Sequence, residues 1–342
     1  MNYRESADLR YLDSFENFFN HRMRYFTATK DVADVHLSRK IYSPVNTDVD
    51  IRQRHQTVED IANSDAPIVI TTSTKNREPM LTSAYSKLLS QRDAVPWYWL
   101  IVDNGSNDGT IEQVSSWNDR RVGIVKYDEI TGCAFPVRNF AFDLVQAGLQ
   151  KSAGAAEPWV MNIDSDDQLY DDYSLHEMGK LFVKANSNKK GVSLTHGYAV
   201  WETEDERGKA VISSCPAEVD GAFPEVQKMS DIFVKGLIFL AAAVPGQTLS
   251  WLRYPNEISF EDDAVNQKLM LQAMKRGEPW IHADYPMVLK SSNSDTMITQ
   301  NNQLGDSNKT EVIGTGHVVT GIRADIVGHL RTFRDYYVRE GL

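Results

Sequence analysis

Three acidic patches carry the residue types from which a reaction could be built. The first is Asp103 in DNGSNDGT, the second Asp164, Asp166 and Asp167 in NIDSDD, and the third Glu261, Asp262 and Asp263 in SFEDDAVNQKLM. Crowded carboxylates repel one another, so they persist when solvated, when capping a helix, or when a cation neutralises them. Hard oxygen ligands suit Mg²⁺ or Mn²⁺ shared with substrate phosphates. A partly buried carboxylate, such as one in the third patch, can also act as a general base.

Each patch has a plain structural reading beside the chemical one. DNGSNDGT supplies the Gly and Asn for positive φ and the cap for a strand-to-helix turn with no ligand at all. It is not an EF-hand loop, because the sixth position holds Asp108 instead of Gly and the twelfth holds Val114 instead of Glu. Asp164 to Asp167 can be a solvated cap. Glu261 to Asp263 can simply complement a helix macrodipole.

The elements that must position these residues alternate along the middle of the chain. PIVITTST, WYWLIVD, RVGIVKYD and PWVMNID read as strands, separated by helices over REPMLTSAYSKLLSQ, DGTIEQVSSW and PVRNFAFDLVQAGLQ. Such alternation implies a mainly parallel sheet covered by helices, with ligands at the carboxyl ends of the strands. Asp103 and Asp164 then share one rim. Further on, SLHEMGKLFVKA reads as a helix, GVSLTHGYAVWET as strand-rich, and Asp231 to Ala243 and the segment opening at SFEDD as helices. GLIFLAAAVPGQT is expected to form a buried helix and a loop.

Three regions result: a helical extension over residues 1–62, the α/β domain over 63–300, and a helical extension over 301–342. The extensions could supply acceptor contacts, a homo-oligomer interface, or only core padding. Trp97, Tyr98 and Trp99 read as strand packing, whereas Trp201, Trp251 and Trp280 are open to either core or a sugar-stacking platform.

The 342 residues carry a net charge of −11, which disfavours broad contact with nucleic acid without excluding it. Two cysteines, Cys133 and Cys215, lack disulfide-framework or zinc-site spacing. The amino terminus has no apolar signal-peptide core, and the longest apolar run, Leu237 to Val244, is too short to span a bilayer. A cytoplasmic protein, soluble or visiting a membrane surface, is the expectation.

With these residues in this order, the chain resembles the family 2 glycosyltransferases of the GT-A fold over roughly residues 65 to 297. IVDNGSNDGT looks like their donor-base motif, PVRNFAFD their Ala-Arg-Asn segment, NIDSDD their DXD-type metal motif and FEDD their late Glu-Asp motif. The resemblance implies an inverting enzyme moving a sugar from a nucleotide-sugar, most simply a UDP-sugar, to an acceptor hydroxyl with Mn²⁺ or Mg²⁺. Asp103 is then expected at the base, with Thr71, Thr72 and Arg77 lining the same pocket and Arg138 near the nucleotide. Asp164, Ser165 and Asp166 are expected at the ribose and the diphosphate-bound metal; which of Asp164, Asp166 and Asp167 touches the metal stays open. Asp262 is the implied base and Glu261 an orienting group.

The chain departs from the family pattern late. Where many relatives carry Tyr-Arg-x-His, this chain has VLKSSNSDTM, with Ser292 near the His place. Lys290 can supply positive charge there, and His282 or His317 are alternative substitutes. A sugar nucleotidyltransferase is the second reading, weakened because ITTSTKNREPM lacks the Gly-rich loop; a non-catalytic binding protein on the same fold is the third. The acceptor is left open among saccharide, lipid-linked sugar, protein, metabolite and modified base.

Overall fold

The computed structural model describes residues 48–64, 66–127, 135–152, 157–188, 194–204, 210–214, 242–254, 280–291, 310–313 and 317–320. A first helix, α1 (Asp48–Asn63), leads into strand β1 (Ile68–Thr74), helix α2 (Glu78–Leu89), strand β2 (Trp97–Asp103), helix α3 (Thr110–Ser116) and strand β3 (Val122–Lys126). Helix α4 (Phe135–Lys151), strand β4 (Trp159–Asn162), the two-residue strand β5 (Gln168–Leu169) and helix α5 (Ser174–Asn186) follow. The remaining described elements are β6 (Leu194–Glu204), β7 (Ala210–Ser214), β8 (Ala242–Pro245), a 3₁₀ turn (Gly246–Ser250), β9 (Trp280–Ser291), β10 (Thr310–Ile313) and β11 (His317–Thr320).

The strands alternating with helices close into one sheet in the order β3-β2-β1-β4-β8-β6-β9-β5, with β7 on β6. The first four strands run parallel. β1 and β2 are buried along almost their whole length, as a parallel strand covered on both faces must be. Chain order runs outward from β1 to β3 in one direction and resumes at β4 on the other side, so the switch point lies between β1 and β4. There the connections diverge to opposite faces and open a crevice at the carboxyl ends.

Helices are laid down by their apolar stripes. α5 buries Leu175, Met178, Leu181, Phe182 and Ala185, and Phe182 stacks on Trp159 of β4 at 5.1 Å. On the same side of the sheet Trp117 stacks between Tyr85 and Trp99, at 4.1 Å and 5.9 Å. Trp97, Tyr98 and Trp99 are thus core residues, as their strand position suggests.

Two stretches differ from the sequence expectation. Ala242–Pro245, read as the end of a helix and its loop, is a strand antiparallel to β4, because the exposed edge of β4 offers a hydrogen-bonding partner that local apolar character does not reveal. In the C-terminal region expected to be helical, Thr310–Ile313 and His317–Thr320 form an antiparallel hairpin of β-branched residues. The helix expected after residue 321 lies outside the described residues, as do residues 231–241 of the helix expected over Asp231 to Ala243 and the whole of that expected at 259–277. β9 escaped assignment because Pro286 interrupts its run. The ladder accommodates that proline with register shifts on either side of Tyr198, its partner on β6.

The described end of the N-terminal region is helical as expected. α1 lies against α4 and β3, where Gln53 Nε2 donates to the Ile124 carbonyl at 2.5 Å and Arg54 Nη2 to the Lys126 carbonyl at 2.9 Å. Gly148 allows this approach: a Cβ there would stand 2.6 Å from Ile61 Cγ2 and 3.2 Å from the Val58 carbonyl. Replacing Gly148 with Val is expected to cost about 1–3 kcal/mol through overpacking. Denaturant unfolding checks this; an unchanged midpoint would mean that α1 contributes nothing to the packed core.

Candidate functional site

At the switch-point rim, Thr74 and Asp103 end β1 and β2 in register, and Asp103 pairs onward with Lys126. Asp103 is fully buried. Its carboxylate accepts from the Gly105 and Ser106 amides, both at 3.0 Å, and from the Ser106 hydroxyl. The turn reading is therefore realised: Asp103 organises its own loop.

That loop is also laced to the one after β1. The Asn76 amide donates to Ser106 Oγ at 2.8 Å, the Asn107 amide to Asn76 Oδ1 at 2.8 Å, and the Arg77 amide to Thr110 Oγ1 at 3.2 Å. Asp108 serves two helix starts at once, accepting from Thr110 N at 3.0 Å and from Glu78 N at 3.3 Å. Burial works to raise its carboxyl, and the bonds from Thr110 and Glu78 hold it below the ordinary range. Gly109, at φ +92°, makes the turn into α3; an added Cβ would also stand 3.3 Å from Glu78 Oε2. Arg77, half-buried, begins α2 on this laced rim.

Thr71 and Thr72 are spent on the sheet. Thr72 Oγ1 donates to the Ile163 carbonyl at 2.8 Å and accepts from Trp99 Nε1 at 2.9 Å, while Thr71 Oγ1 reaches Met161 and Asn162 of β4 at 3.4 Å. They shape the crevice wall by tying β1 to β4. Thr74, not singled out in the sequence, is different: its hydroxyl is buried on the rim with no hydrogen-bond partner among the described residues. Nothing in TTST distinguishes it from its neighbours.

The second acidic patch follows β4 immediately. A tight turn, with the Asp167 amide donating to the Asp164 carbonyl at 3.0 Å, gathers the patch. Carboxylate oxygens of Asp164, Asp166 and Asp167 come within 4.8 Å of one another. Ser165 stands half-buried between them. An all-oxygen donor set this close fits Mg²⁺ or Mn²⁺. Two basic side chains arrive from different elements. Arg138 of α4 donates through Nη2 to Asp164 Oδ1 at 2.5 Å, with its guanidinium 5.0 Å from the Tyr254 ring. Lys290 of β9 places Nζ 2.6 Å from Asp167 Oδ2 and 3.4 Å from Asp164 Oδ2.

The sheet explains both arrivals. β5 pairs antiparallel with β9, Gln168 opposite Leu289, so the next step of the ladder brings Lys290 across from Asp167. Arg138 is one residue before Asn139, whose side chain is bound both ways to the Tyr254 backbone at 2.8 and 3.0 Å. Tyr254 is thereby anchored beside the patch.

The two acids titrate in opposite directions. Burial raises Asp164, but Arg138 and Lys290 outweigh it and hold this carboxyl well below the carboxylate range. Asp167, more deeply buried, is pushed up to about 7 by burial, with the Asp164 and Asp166 charges adding to the rise and Lys290 opposing it.

Of the residues expected at a site, Asp103, Arg77 and the Asp164 to Asp167 patch lie on one rim. β1 separates Asp103 from Asp164, an offset of two strand spacings, about 10 Å. Glu261, Asp262 and Ser292 lie outside the described residues. His282 falls on β9 and His317 on β11, outside the residues whose side chains are described. Among the described side chains, Lys290 is the late basic candidate that reaches the acids. No helix among the described residues is long and apolar enough to cross a membrane.

The first four strands thus form a parallel α/β unit with an acidic, cation-competent turn at its switch point. Residues 69–202, from β1 into β6, match the model of glycosyl transferase family 2. Among solved structures, the chain is similar to Staphylococcus aureus TarS 1–349 in complex with UDP-GlcNAc, at 15% identity and TM-score 0.49, covering 68% of this chain and 60% of that one. It is also similar to the mannosyltransferase PcManGT from Pyrobaculum calidifontis with GDP-Man and Mn²⁺, at 13% identity and TM-score 0.44, covering 74% and 67%. A third is glucosyl-3-phosphoglycerate synthase from Mycobacterium tuberculosis with Mn²⁺, UDP and phosphoglyceric acid, at 15% and 0.38, covering 69% and 74%. The match thus spans 60% of the length of the TarS 1–349 chain. No curated protein matches the sequence.

The raised Asp167 sets a pH signature for the metal-free protein. Its folded pKa, about 7, lies above that of an unfolded aspartate, about 3.9. Between those values the folded state holds more protons, so stability falls as pH rises. Thermal unfolding with chelator from about pH 5 to about pH 7 should show that decline, and Asp167→Asn should flatten it. Parallel profiles for the two proteins would remove the assignment.

Proposed function

We propose that the protein is an inverting glycosyltransferase that uses a nucleotide-sugar donor, a UDP-sugar in the first instance, with a divalent cation at the acidic turn. The observation that carries the reading is the convergence of Asp164, Asp166 and Asp167 at the switch point of a family 2 segment. Mn²⁺ or Mg²⁺ there would supply charge stabilisation for a departing nucleoside diphosphate. Asp164 and Asp166 are the proposed ligands, with Asp167 completing the set and Ser165 facing the donor.

The chain's own residues supply the rest. Asp103 and its laced loop form the base end of the crevice, Thr71 and Thr72 its wall, and Arg77 a cation on its rim. Arg138 holds Asp164 in place, so the carboxylate is oriented before any ligand binds. Asp262, assigned from the late acidic motif, takes the proton of the acceptor hydroxyl as that oxygen bonds to the anomeric carbon, with Glu261 orienting it. The carbon–oxygen bond to the diphosphate breaks on the opposite face, its electron pair leaving on the phosphate oxygen. One base and direct attack invert the anomeric centre, with no covalent sugar on the enzyme. The acceptor presents a hydroxyl.

Thermal unfolding with UDP-, GDP- and dTDP-sugars, with and without Mn²⁺, tests the donor. A ligand at a hundred times its Kd adds about 2.7 kcal/mol of stability. Asp164→Asn and Asp166→Asn are expected to abolish the Mn²⁺-dependent part. Asp262→Asn should keep donor stabilisation while nucleoside diphosphate release slows by about 10²- to 10⁴-fold. No stabilisation by any nucleotide-sugar would sink the donor, and an unslowed Asp262 variant would sink the base.

A further inference from the structure

We infer that Lys290 is a displaceable counter-ion of the acidic turn: it holds Asp167 and Asp164 in the cation-free protein and passes to the donor's diphosphate when a divalent cation takes those carboxylates. This rests on the donor-and-cation reading above. Its ammonium stands 2.6 Å from Asp167 and 3.4 Å from Asp164, two of the three acids whose oxygens gather within 4.8 Å. A divalent cation entering the same cluster meets a positive charge already in hydrogen-bond contact with part of its donor set. The two cannot share those oxygens at full strength.

Arg138, the other cation, is built differently. Its side chain is 6% exposed, its guanidinium lies by the Tyr254 ring, and it grips Asp164 from the side of α4. It stays while the site loads. Lys290 is a compact charge on a flexible four-carbon stem, 19% exposed, at the C-terminal end of β9. Its stem can change rotamer, and its chemistry suits phosphate oxygens.

The consequence is a coupling between two ligands. Cation alone must work against Lys290; cation with a diphosphate gives the displaced ammonium a new anion. Each therefore strengthens the other's binding, and by thermodynamic necessity equally. Lys290 acts here as a positioning residue that makes the acidic turn wait for its donor.

Calorimetric titration of the full chain with Mn²⁺, in the absence and presence of UDP, tests this in wild type, Lys290→Met, Lys290→Gln and Lys290→Arg. Two neutral variants of different polarity are used so that a folding defect in one leaves the comparison intact. Both neutral variants are expected to bind Mn²⁺ alone about tenfold tighter than wild type, and UDP should then improve Mn²⁺ affinity about tenfold less. Lys290→Arg should keep the wild-type pattern. Neutral variants with unchanged Mn²⁺ affinity and unchanged UDP enhancement would overturn the role of Lys290 and leave the donor reading standing. A wild type that binds neither UDP nor Mn²⁺ would overturn both.

Discussion

Three carboxylates held within 4.8 Å of one another are unfavourable unless positive charge is brought to them, and the sheet is arranged so that it is. Arg138 arrives from α4 on one side and Lys290 from β9 on the other, and both reach Asp164. The result is asymmetric. Asp164 is held ionised by two cations, while Asp167, deeper and with Lys290 opposing the effect of burial, sits near neutrality in its titration. A turn in that condition presents one carboxylate that stays charged and one whose charge responds to its surroundings.

The other end of the crevice depends on hydrogen bonds rather than charge. The loops after β1 and β2 are joined by hydrogen bonds from backbone amides to the side chains of Ser106, Asn76, Thr110 and Asp108. Asp103 satisfies amides of its own turn and Asp108 those of two helix starts, so the rim is held together by the protein's own groups. The residues that make the turn in DNGSNDGT are therefore the ones that fix this part of the rim.

Between the two ends, β1 works as a spacer. Thr71 and Thr72 bind it to β4, and Trp99 reaches across from β2 to the same Thr72 hydroxyl. These contacts hold the Asp103 loop and the acidic turn at a separation set by strand spacing. Tyr254, tied down by Asn139, carries the chain back to Arg138 just ahead of the segment that holds Glu261 and Asp262.

The parallel core was legible in the sequence because β-branched runs alternating with helical periodicity leave little choice of topology, and acids at strand ends then fall on one rim. Helix α1 and the roles of Trp97 to Trp99 as packing were equally readable, since burial follows local pattern. What the chain order could not disclose were the pairings made at a distance: β8 on the edge of β4, β9 continuing through Pro286, and the hairpin β10–β11. Lys290 illustrates the limit. In sequence it is one lysine in VLKSSNSDTM; it becomes the partner of Asp164 and Asp167 because the β5–β9 ladder sets its register, and a register is a property of two strands together. Residue types and periods determine which chemistry is available, whereas only the folded sheet decides which charges meet, because electrostatic attraction and hydrogen bonding act over a few ångströms of space whatever the distance along the chain.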